Sequence, residues 1–472
     1  MPPNVALLLW FVCLLGLLYF DPAREKGISL ALWVPVCWLF ILGSRLPSQW
    51  LGVNVQSASA ALQEGNPVDR VVWSTLILLA FVTLLSRRFP WGSLLVRNTA
   101  LLALLGYALL SVCWSDFPLA ALRKWVRDLG EYLVILVALS DPRPVEGVRT
   151  VLRRICYLLI PLCIVLNKYF PEVSRIFDAW TGVGMFAGAT TGKNLLGLLA
   201  LLSTIFFVSD TTTRWHQRRE PRTKRILLIN LAFLGMSLSL LESAHSATSW
   251  VCLLLGCLVI AACHGRFFRR HRALLQVLIP VAFCLYLVLA FGFGLSGEMA
   301  SAVGKDPTLT DRTRIWSFVL GMHTNPLIGT GYESFWMGPR LAWIWNNAGL
   351  GGLTEAHNGY LEVYLNLGIV GLFFLAIFLL AGYRTIWKTW QTSPLFSFNL
   401  AIWAIMLFYS VTEAGFRSGL IWVVLLLGTL VVPARAAQRA DVRQELETQR
   451  LRASGDGSWA ASGLQAHAGR TR

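Results

Sequence analysis

The stretch 359–382, GYLEVYLNLGIVGLFFLAIFLLAG, decides the fold of this chain. It carries a single charged residue, Glu362, and a helix needs about 20 mostly apolar residues to cross a bilayer. Directly before it lies the segment EAHN at 355–358, so that a titratable histidine stands between a polar loop and an apolar run. The sequence therefore predicts a membrane-spanning helix with ionisable groups at one end.

The composition of the whole chain agrees with a membrane protein. Hydrophobic residues make up 56% and charged residues 14%, with a mean hydropathy of +0.59, which excludes an ordinary soluble domain. Similar apolar runs predict about thirteen transmembrane helices, at 4–20, 28–43, 70–86, 99–114, 120–139, 151–167, 194–209, 225–241, 248–263, 274–294, 359–382, 397–412 and 417–433. Lipid offers no partner for open strand edges, so the predicted fold class is all-α, a polytopic integral membrane protein.

Charged loops predict the orientation of these helices. The connections 210–225 and 264–273 are rich in arginine, and short basic loops stay in the cytoplasm. Alternation then places 87–98, 140–154, 383–396 and the tail inside. It places 44–69, 115–119, 168–193, 242–247, 295–358, 413–416 and the amino terminus outside. The net charge of +16 lies in these separated loops and the tail, which argues against a nucleic-acid partner.

Two regions differ in composition. Residues 1–433 form the predicted membrane domain, whose first apolar run lacks a basic start and reads as a retained helix. Residues 434–472 form a polar tail, predicted to be cytoplasmic and disordered beyond a short helix. The nine cysteines all lie in apolar runs, where a thiol behaves as a small hydrophobe, so the pattern suggests neither a disulfide framework nor a metal cluster.

The outer loop 295–358 is too long for a plain connection and is rich in aromatic residues. A helix is predicted to start there at Thr310 or Asp311, which puts Arg312 and Arg314 at the positive end of its dipole. A phosphate would balance both guanidinium groups. The alternative is a solvated arginine pair that Asp311 partly neutralises.

The sequence allows two interpretations of His357 as well. It can be an interfacial polar residue, or a general base, since an imidazole with an ordinary pKa accepts a proton at neutral pH. Glu355 and Glu362 are close enough in sequence to orient its ring, and Tyr360 shares its face at helical spacing.

Further cations are predicted at the same side of the membrane. The span 120–139 carries Arg123 and Arg127 among five charged residues, which is too ionic for a lipid-facing helix. Lys193 precedes the run at 194 and can meet an anion at a helix start, although its glycine spacing is not that of a phosphate-binding loop. Glu242, His245, Glu413 and Arg417 end predicted helices on this face and can be plain interface residues. Gly329-Thr330-Gly331 reads as a turn.

Several segments together resemble the O-antigen ligase and polymerase superfamily of bacterial envelope proteins. They are DRTRIW at 311–316, PLIGTGYESFW at 326–336, AHNGYL at 356–361 with LGIVG at 367–371, WSD at 114–116 and GKNLLG at 192–197. The resemblance covers about 110–430, and the histidine block with the preceding loop is its most specific part. Where relatives often carry a lysine or arginine, this chain has His245, so the cation expected there is missing unless this histidine is protonated.

The resemblance implies a fold like that of the GT-C membrane glycosyltransferases. It implies transfer of a glycan from undecaprenyl diphosphate to a sugar hydroxyl, without a cofactor or metal, on the periplasmic side of a bacterial inner membrane. The implied roles fall on residues already singled out. They are His357 as the base; Arg312, Arg314, Lys193, Arg123 and Arg127 as diphosphate ligands; and Glu355, Asn358, Tyr360, Trp316 and Trp336 as groups that orient the glycan.

The resemblance leaves the acceptor open. A polymerase of exopolysaccharide or O-antigen repeats comes first, with a chain-length regulator as a possible partner, and a ligase that loads O-antigen onto lipid A core comes second. A transporter is the competing class, because many helices and intramembrane charges also serve transport. The ionic residues of a transporter would lie at mid-bilayer, whereas those of this chain gather at one boundary of the predicted membrane region. An inactive scaffold of an envelope complex is a third possibility.

Overall fold

The computed structural model of this chain describes residues 1–21, 27–53, 65–87, 89–177, 182, 184–292, 312–347 and 351–432. The predicted tail at 434–472 lies outside the described residues. So do Thr310 and Asp311, the predicted cap of the loop helix.

The described residues are mainly helical. The first part of the chain forms α1 (Pro3–Tyr19), α2 (Trp33–Leu42), α3 (Pro47–Trp50), α4 (Pro67–Ser86), α5 (Trp91–Arg97), α6 (Thr99–Leu110), α7 (Pro118–Leu139), α8 (Pro144–Tyr169), α9 (Pro171–Ser174) and α10 (Lys193–Arg214). The second part forms α11 (Pro221–Ser243), α12 (Ala247–His264), α13 (Arg266–Arg270), α14 (Arg272–Leu287), α15 (Arg312–Leu320), α16 (Gly338–Asn347), α17 (Gly359–Lys388), α18 (Phe396–Thr412) and α19 (Leu420–Thr429). Short 3₁₀ turns at Leu30–Leu32, Ser111–Trp114 and Trp215–Gln217 and a π turn at Val288–Gly292 extend some of these helices.

A small hairpin that the sequence did not predict follows α9. Strands β1 (Arg175–Phe177) and β2 (Gly184–Phe186) pair antiparallel, with Ile176 opposite Met185. The hairpin lies within the predicted outer connection 168–193 and leaves the all-α class of the membrane part intact.

Each predicted span overlaps a helix, which confirms the helical membrane class, while the number of spans stays a prediction. Among the described residues, seven helices are long and apolar enough to cross a membrane. The bent pair Trp91–Arg97 and Thr99–Trp114 adds an eighth if it is one span. Four other apolar helices have only 10–17 residues. An apolar run in the sequence predicts a helix well, but it does not separate a full crossing from a short helix buried in the bundle.

The bundle has an interior and a periphery. In the apolar part of the helix at Lys193–Gln217, 78% of residues are buried, against 22% in Arg272–Ala290. Helix α18 is buried along nearly its whole length. A helix that is apolar all round suits either a protein interior or lipid. Helices α10 and α18 therefore form the interior, and α14 presents its apolar side chains outward.

Several long-range contacts join loops that the sequence places on the same side. At one end, Arg45 Nε donates to Thr190 O at 3.2 Å, and Arg340 Nη2 lies 2.9 Å from Asp116 Oδ2. Both contacts join loops that were predicted to lie outside. At the other end, the guanidinium of Arg87 lies 3.5 Å from Asp141 Oδ2, which joins two predicted inner loops. The side of the membrane that each end faces stays a prediction.

A dense ionic cluster stabilises the predicted inner end. Asp210, on the interior helix α10, lies 2.9 Å from Arg214 Nε, 3.8 Å from Arg149 Nε and 3.9 Å from Arg153 Nη2. Arg153 is only 1% exposed and also lies 3.5 Å from Asp21. Charges this deeply buried need opposite charges nearby, so α1, α8 and α10 are tied together at this end.

Helix α17 is broken where the loop 326–331 meets it. Gly368 has φ 66° inside this helix, and the N–H groups of Ile369 and Val370 donate to the carbonyls of Pro326 and Leu327. Gly368 has no room for a Cβ, because the backbone of Leu327 occupies that space. The predicted straight span is thus kinked, and the kink docks the outer loop onto the bundle.

Candidate active site

Three distant parts of the chain meet at the carboxylate of Glu413, which follows the last turn of α18. Arg312 Nη2, at the start of α15, lies 2.6 Å from Glu413 Oε1. Asn194 Nδ2, in the first turn of α10, donates to Glu413 Oε2 at 3.2 Å. His357 Nδ1 lies 3.5 Å from the same oxygen. The two residues given most weight from the sequence, Arg312 and His357, are therefore brought together through a residue that was not.

Arg312 combines burial with an unused donor. It is 8% exposed, and its Nη1 makes no hydrogen bond within the described residues. A buried guanidinium nitrogen without an acceptor is costly. An anionic oxygen placed beside Arg312 would satisfy that donor.

The loop before α17 holds His357 in an unusual backbone conformation. Its φ is 49°, a left-handed value that is uncommon for residues other than glycine. The neighbouring Ala356 is held on both sides, since its carbonyl accepts from Trp316 Nε1 at 2.9 Å and its N–H donates to Glu362. Asn358 then caps α17 by accepting from the N–H of Leu361 at 3.0 Å. Such strain persists only where the surroundings enforce it, and it is common at functional sites.

Two carboxylates surround the imidazole. Its Nδ1 lies 2.9 Å from Glu355 Oε1 as well as 3.5 Å from Glu413, at ion-pair distance but without the alignment of a good hydrogen bond. Burial alone would lower the pKa of His357, but the contacts and charges of Glu355 and Glu413 outweigh it and raise that pKa to about 10. The ring is therefore an imidazolium at neutral pH.

A second ionic group adjoins the first. Arg417 forms a bidentate ion pair with Glu333, in which Nε donates to Oε1 at 3.1 Å and Nη2 donates to Oε2 at 2.7 Å. Arg417 also donates to Thr354 O at 3.1 Å and lies 4.0 Å from Glu355 Oε2. Burial would raise the pKa of Glu333, but Arg417 and then Lys124 hold it down at about 2. Glu333, like His357, has a left-handed φ, 51°.

A cavity of roughly 520 Å³ opens beside these two groups. Its charged and amide lining comes from Arg127, Asn194, Glu333, Glu355, Glu413 and Arg417. Neither His357 nor Arg312 is among the described residues that line it. The cavity therefore meets the cluster at carboxylates and at two arginines, Arg127 and Arg417.

The same side chains could in principle hold a cation. Glu355, His357 and Glu413 each offer a ligand atom, and these atoms lie within 4.8 Å of one another. However, Arg312 already neutralises Glu413, and the protonated His357 lies against Glu355. Each of these two carboxylates therefore has a basic side chain as its neighbour in this structure.

The other predicted diphosphate ligands differ in whether they line the cavity. Arg127 lines the cavity, and its guanidinium also pairs with Asp128 at 2.7 Å. Arg314 is exposed, with its guanidinium 5.8 Å from the ring centre of Phe318. Arg123 is exposed on α7, and Lys193 is half-buried at the start of α10. The cavity lining includes none of Arg123, Lys193 and Arg314 among the described residues.

The predicted glycan-orienting side chains contact protein groups. Trp336 Nε1 donates to both carboxylate oxygens of Glu362 at 3.0 Å, and Tyr360 Oη donates to Leu407 O at 3.2 Å. With the contacts of Trp316 and Asn358 given above, these residues position the His357 loop and anchor α17. Of the predicted glycan group, Glu355 is the member that lines the cavity.

The residues that complete the site were underrated from the sequence. Glu413 and Arg417 were interpreted as possible interface residues, and Asn194 was given no role of its own within the GKNLLG motif. The available signal was a pair of opposite charges in a very short connection between two strongly apolar runs. His245 is exposed with a left-handed φ of 48° and is not among the described residues that line the cavity.

Comparison with known proteins agrees with the motifs. Residues 231–376, which include Arg312, Glu333, Glu355 and His357, match the family described as O-Antigen ligase. This match and the relative described next support the resemblance to O-antigen ligases and polymerases. A curated relative, the exopolysaccharide production protein ExoQ of Rhizobium meliloti (strain 1021), is 27% identical over 298 residues. That match covers 59% of this chain and 62% of the relative. The apolar helices, together with the similarity to this family over residues 231–376, indicate a multi-pass membrane protein.

Proposed function

We propose that this chain transfers a glycan from undecaprenyl diphosphate to a sugar hydroxyl, as a polymerase of exopolysaccharide or O-antigen repeats. The observation that carries the proposal is the buried guanidinium of Arg312, whose Nη1 has no partner among the described residues and which shares Glu413 with His357. Preorganised cations stabilise the negative charge that develops on a diphosphate leaving group.

The proposed reaction uses the cavity as the meeting place of donor and acceptor. Arg127, on the cavity lining, and Arg312, which adjoins the cavity through its partner Glu413, bind the diphosphate. His357 lies behind the lining carboxylates Glu355 and Glu413, next to the acceptor. The ionic cluster is electrically balanced at neutral pH, with Arg312, His357 and Arg417 opposite Glu413, Glu355 and Glu333. An incoming diphosphate therefore competes with Glu413 for Arg312. Such competition releases the Glu413 carboxylate from Arg312. It also makes the charged donor bind in preference to uncharged lipids.

The test uses the purified full-length chain in liposomes. The donor probe is the lipid-linked glycan extracted from membranes of a strain that lacks the gene. We expect a ladder of longer glycans and release of lipid diphosphate, both undiminished by a chelator. A transporter would leave the glycan on its original lipid, and that result would refute the proposal.

A ligase is the second candidate, because the matched family is described as O-Antigen ligase. A ligase would give product only after lipid A core is added as acceptor, whereas a polymerase would extend the glycan without it. Adding or omitting the core in the same assay separates the two. A chain-length regulator, if it is a partner, would change the length of the ladder and not its presence.

We place the active site on the periplasmic side of the bacterial inner membrane. The proposal follows from the arginine-rich loops at the opposite end of the bundle. A cysteine at Asn346 should react with an impermeant thiol reagent in spheroplasts, and one at Gln217 should not. Both side chains are exposed, so the comparison reports sidedness. Labelling at Gln217 alone would invert the orientation.

A further inference from the structure

Glu355 and His357 differ in their relation to the cavity. Glu355 lines the cavity, whereas His357 is not among its described lining residues. The Glu355 side chain is one-third exposed, at 33%, and the His357 side chain is 25% exposed. An acceptor hydroxyl that enters the cavity therefore meets the carboxylate of Glu355 first.

The two oxygens of Glu355 have different surroundings. Oε1 lies 2.9 Å from His357 Nδ1. Oε2 lies 4.0 Å from Arg417 Nη1, which is within ion-pair range but too long for a hydrogen bond. Oε2 therefore keeps lone pairs that a hydroxyl group can use.

His357 has little capacity to accept a proton in this arrangement. An imidazolium donates from both nitrogens and accepts at neither. With a pKa of about 10, only roughly one ring in a thousand is neutral at pH 7. For Glu355, burial favours the neutral acid, but His357 and then Arg417 and Arg312 hold its pKa below the usual range. Glu355 is therefore ionised at neutral pH.

We propose that Glu355 accepts the proton of the acceptor hydroxyl, and that His357 is the cationic residue that positions this carboxylate. The inference rests on the proposed glycosyl transfer. As the acceptor O–H bond breaks, the oxygen forms a bond to the anomeric carbon of the donor. The bond from that carbon to the diphosphate breaks, and the electron pair leaves with the lipid diphosphate. The proton ends on Glu355 Oε2 and passes to water in the cavity.

The charges around Glu355 suit this role. His357 and Arg417 face it directly, Arg312 lies beyond Glu413, and Arg127 lines the same cavity. The nearby acids are paired, Glu413 with Arg312 and Glu333 with Arg417. Glu355 lies between His357 and Arg417, and the Arg417 guanidinium is 4.0 Å from Oε2, beyond hydrogen-bond distance. Of the three carboxylates, it has the longest closest ion-pair contact, 2.9 Å to His357, against 2.6 Å for Glu413 and 2.7 Å for Glu333.

The experiment compares Glu355→Gln, Glu355→Asp and the control Glu172→Gln, an exposed glutamate in another predicted outer loop. The substrate probe is the same extracted lipid-linked glycan, presented to the full-length chain in liposomes. We expect Glu355→Gln to lower kcat by about 100- to 10,000-fold, the usual contribution of a general base, with a smaller change in KM. Glu355→Asp should keep part of the rate because it retains a carboxylate. The control should match the wild type.

The pH profile separates a proton acceptor from a positioning residue. With Glu355 as the acceptor, wild-type kcat/KM should stay level between about pH 6 and pH 9, above the pKa of its carboxyl group. With His357 as the acceptor, the rate should rise about tenfold per pH unit toward pH 10. That rise, or a Glu355→Gln variant that regains the wild-type rate at high pH, would overturn the inference. A wild-type protein that transfers no glycan at all would instead refute the proposed function.

Discussion

Replacing Arg312 tests the ionic centre most directly, because its two effects have different sizes. Arg312 is 8% exposed and lies 2.6 Å from Glu413. Removing one partner of a buried pair costs about 3–5 kcal/mol of stability. Glu413 keeps Asn194 and His357 as partners in Arg312→Ala. We therefore expect a loss near the lower limit, about 3 kcal/mol.

The effect of Arg312→Ala on transfer adds to the effect on stability. Deleting one preorganised donor removes about 2–4 kcal/mol of leaving-group stabilisation. This energy corresponds to a rate about 30 to 1,000 times lower. Arg312→Lys should retain part of the rate, since it keeps the charge but cannot grip two oxygens at once. The rate is measured on folded protein with the extracted donor, and stability is the fraction that stays monodisperse after heating.

A double variant separates the two effects. Arg312→Met combined with Glu413→Gln removes both charges, so it should recover much of the stability that Arg312→Ala loses but none of the activity. Arg175→Ala is the control, because Arg175 is an exposed arginine that lies 5.2 Å from the ring centre of Phe186. If Arg312→Ala made polymer at the wild-type rate and at normal abundance, the diphosphate role of Arg312 would be refuted.

Two further predictions concern stability. The pKa of His357 is raised in the folded protein, so its proton stabilises the fold fully below about pH 6.5 and this contribution is lost as the pH rises through about 10. Thermal stability of the wild type should therefore fall over that window more than that of His357→Gln, and equal slopes would contradict the raised pKa. Gly368→Ala should destabilise the protein by at least about 1–3 kcal/mol, since φ is 66° and the Leu327 backbone fills the space of a Cβ. The matched control Gly235→Ala, in a helix with open space around the residue, should be neutral or stabilising, and a similar loss in both would point to a general effect of added methyl groups.

Much of the membrane architecture follows from local sequence. The length of each apolar run and the polarity of its ends are local properties, so they predicted the helices correctly. Span length was less predictable, because burial of a short helix such as α19 depends on its neighbours. The break at Gly368 was hidden too, since it exists only where the 326–331 loop supplies carbonyl partners to α17.

The sequence by itself determined that this is a helical membrane protein, and it singled out Arg312 and His357 through their motifs and Glu355 through its place beside His357 at a predicted membrane boundary. The tertiary structure decided which polar residues work together. Glu413 lies 101 positions from Arg312 and 219 from Asn194 in the chain, and only helix packing brings them together. The protonation of His357 likewise depends on two carboxylates from different elements. A polar residue at a helix end looks the same in sequence whether it faces water or a buried charge, and its partner makes the difference.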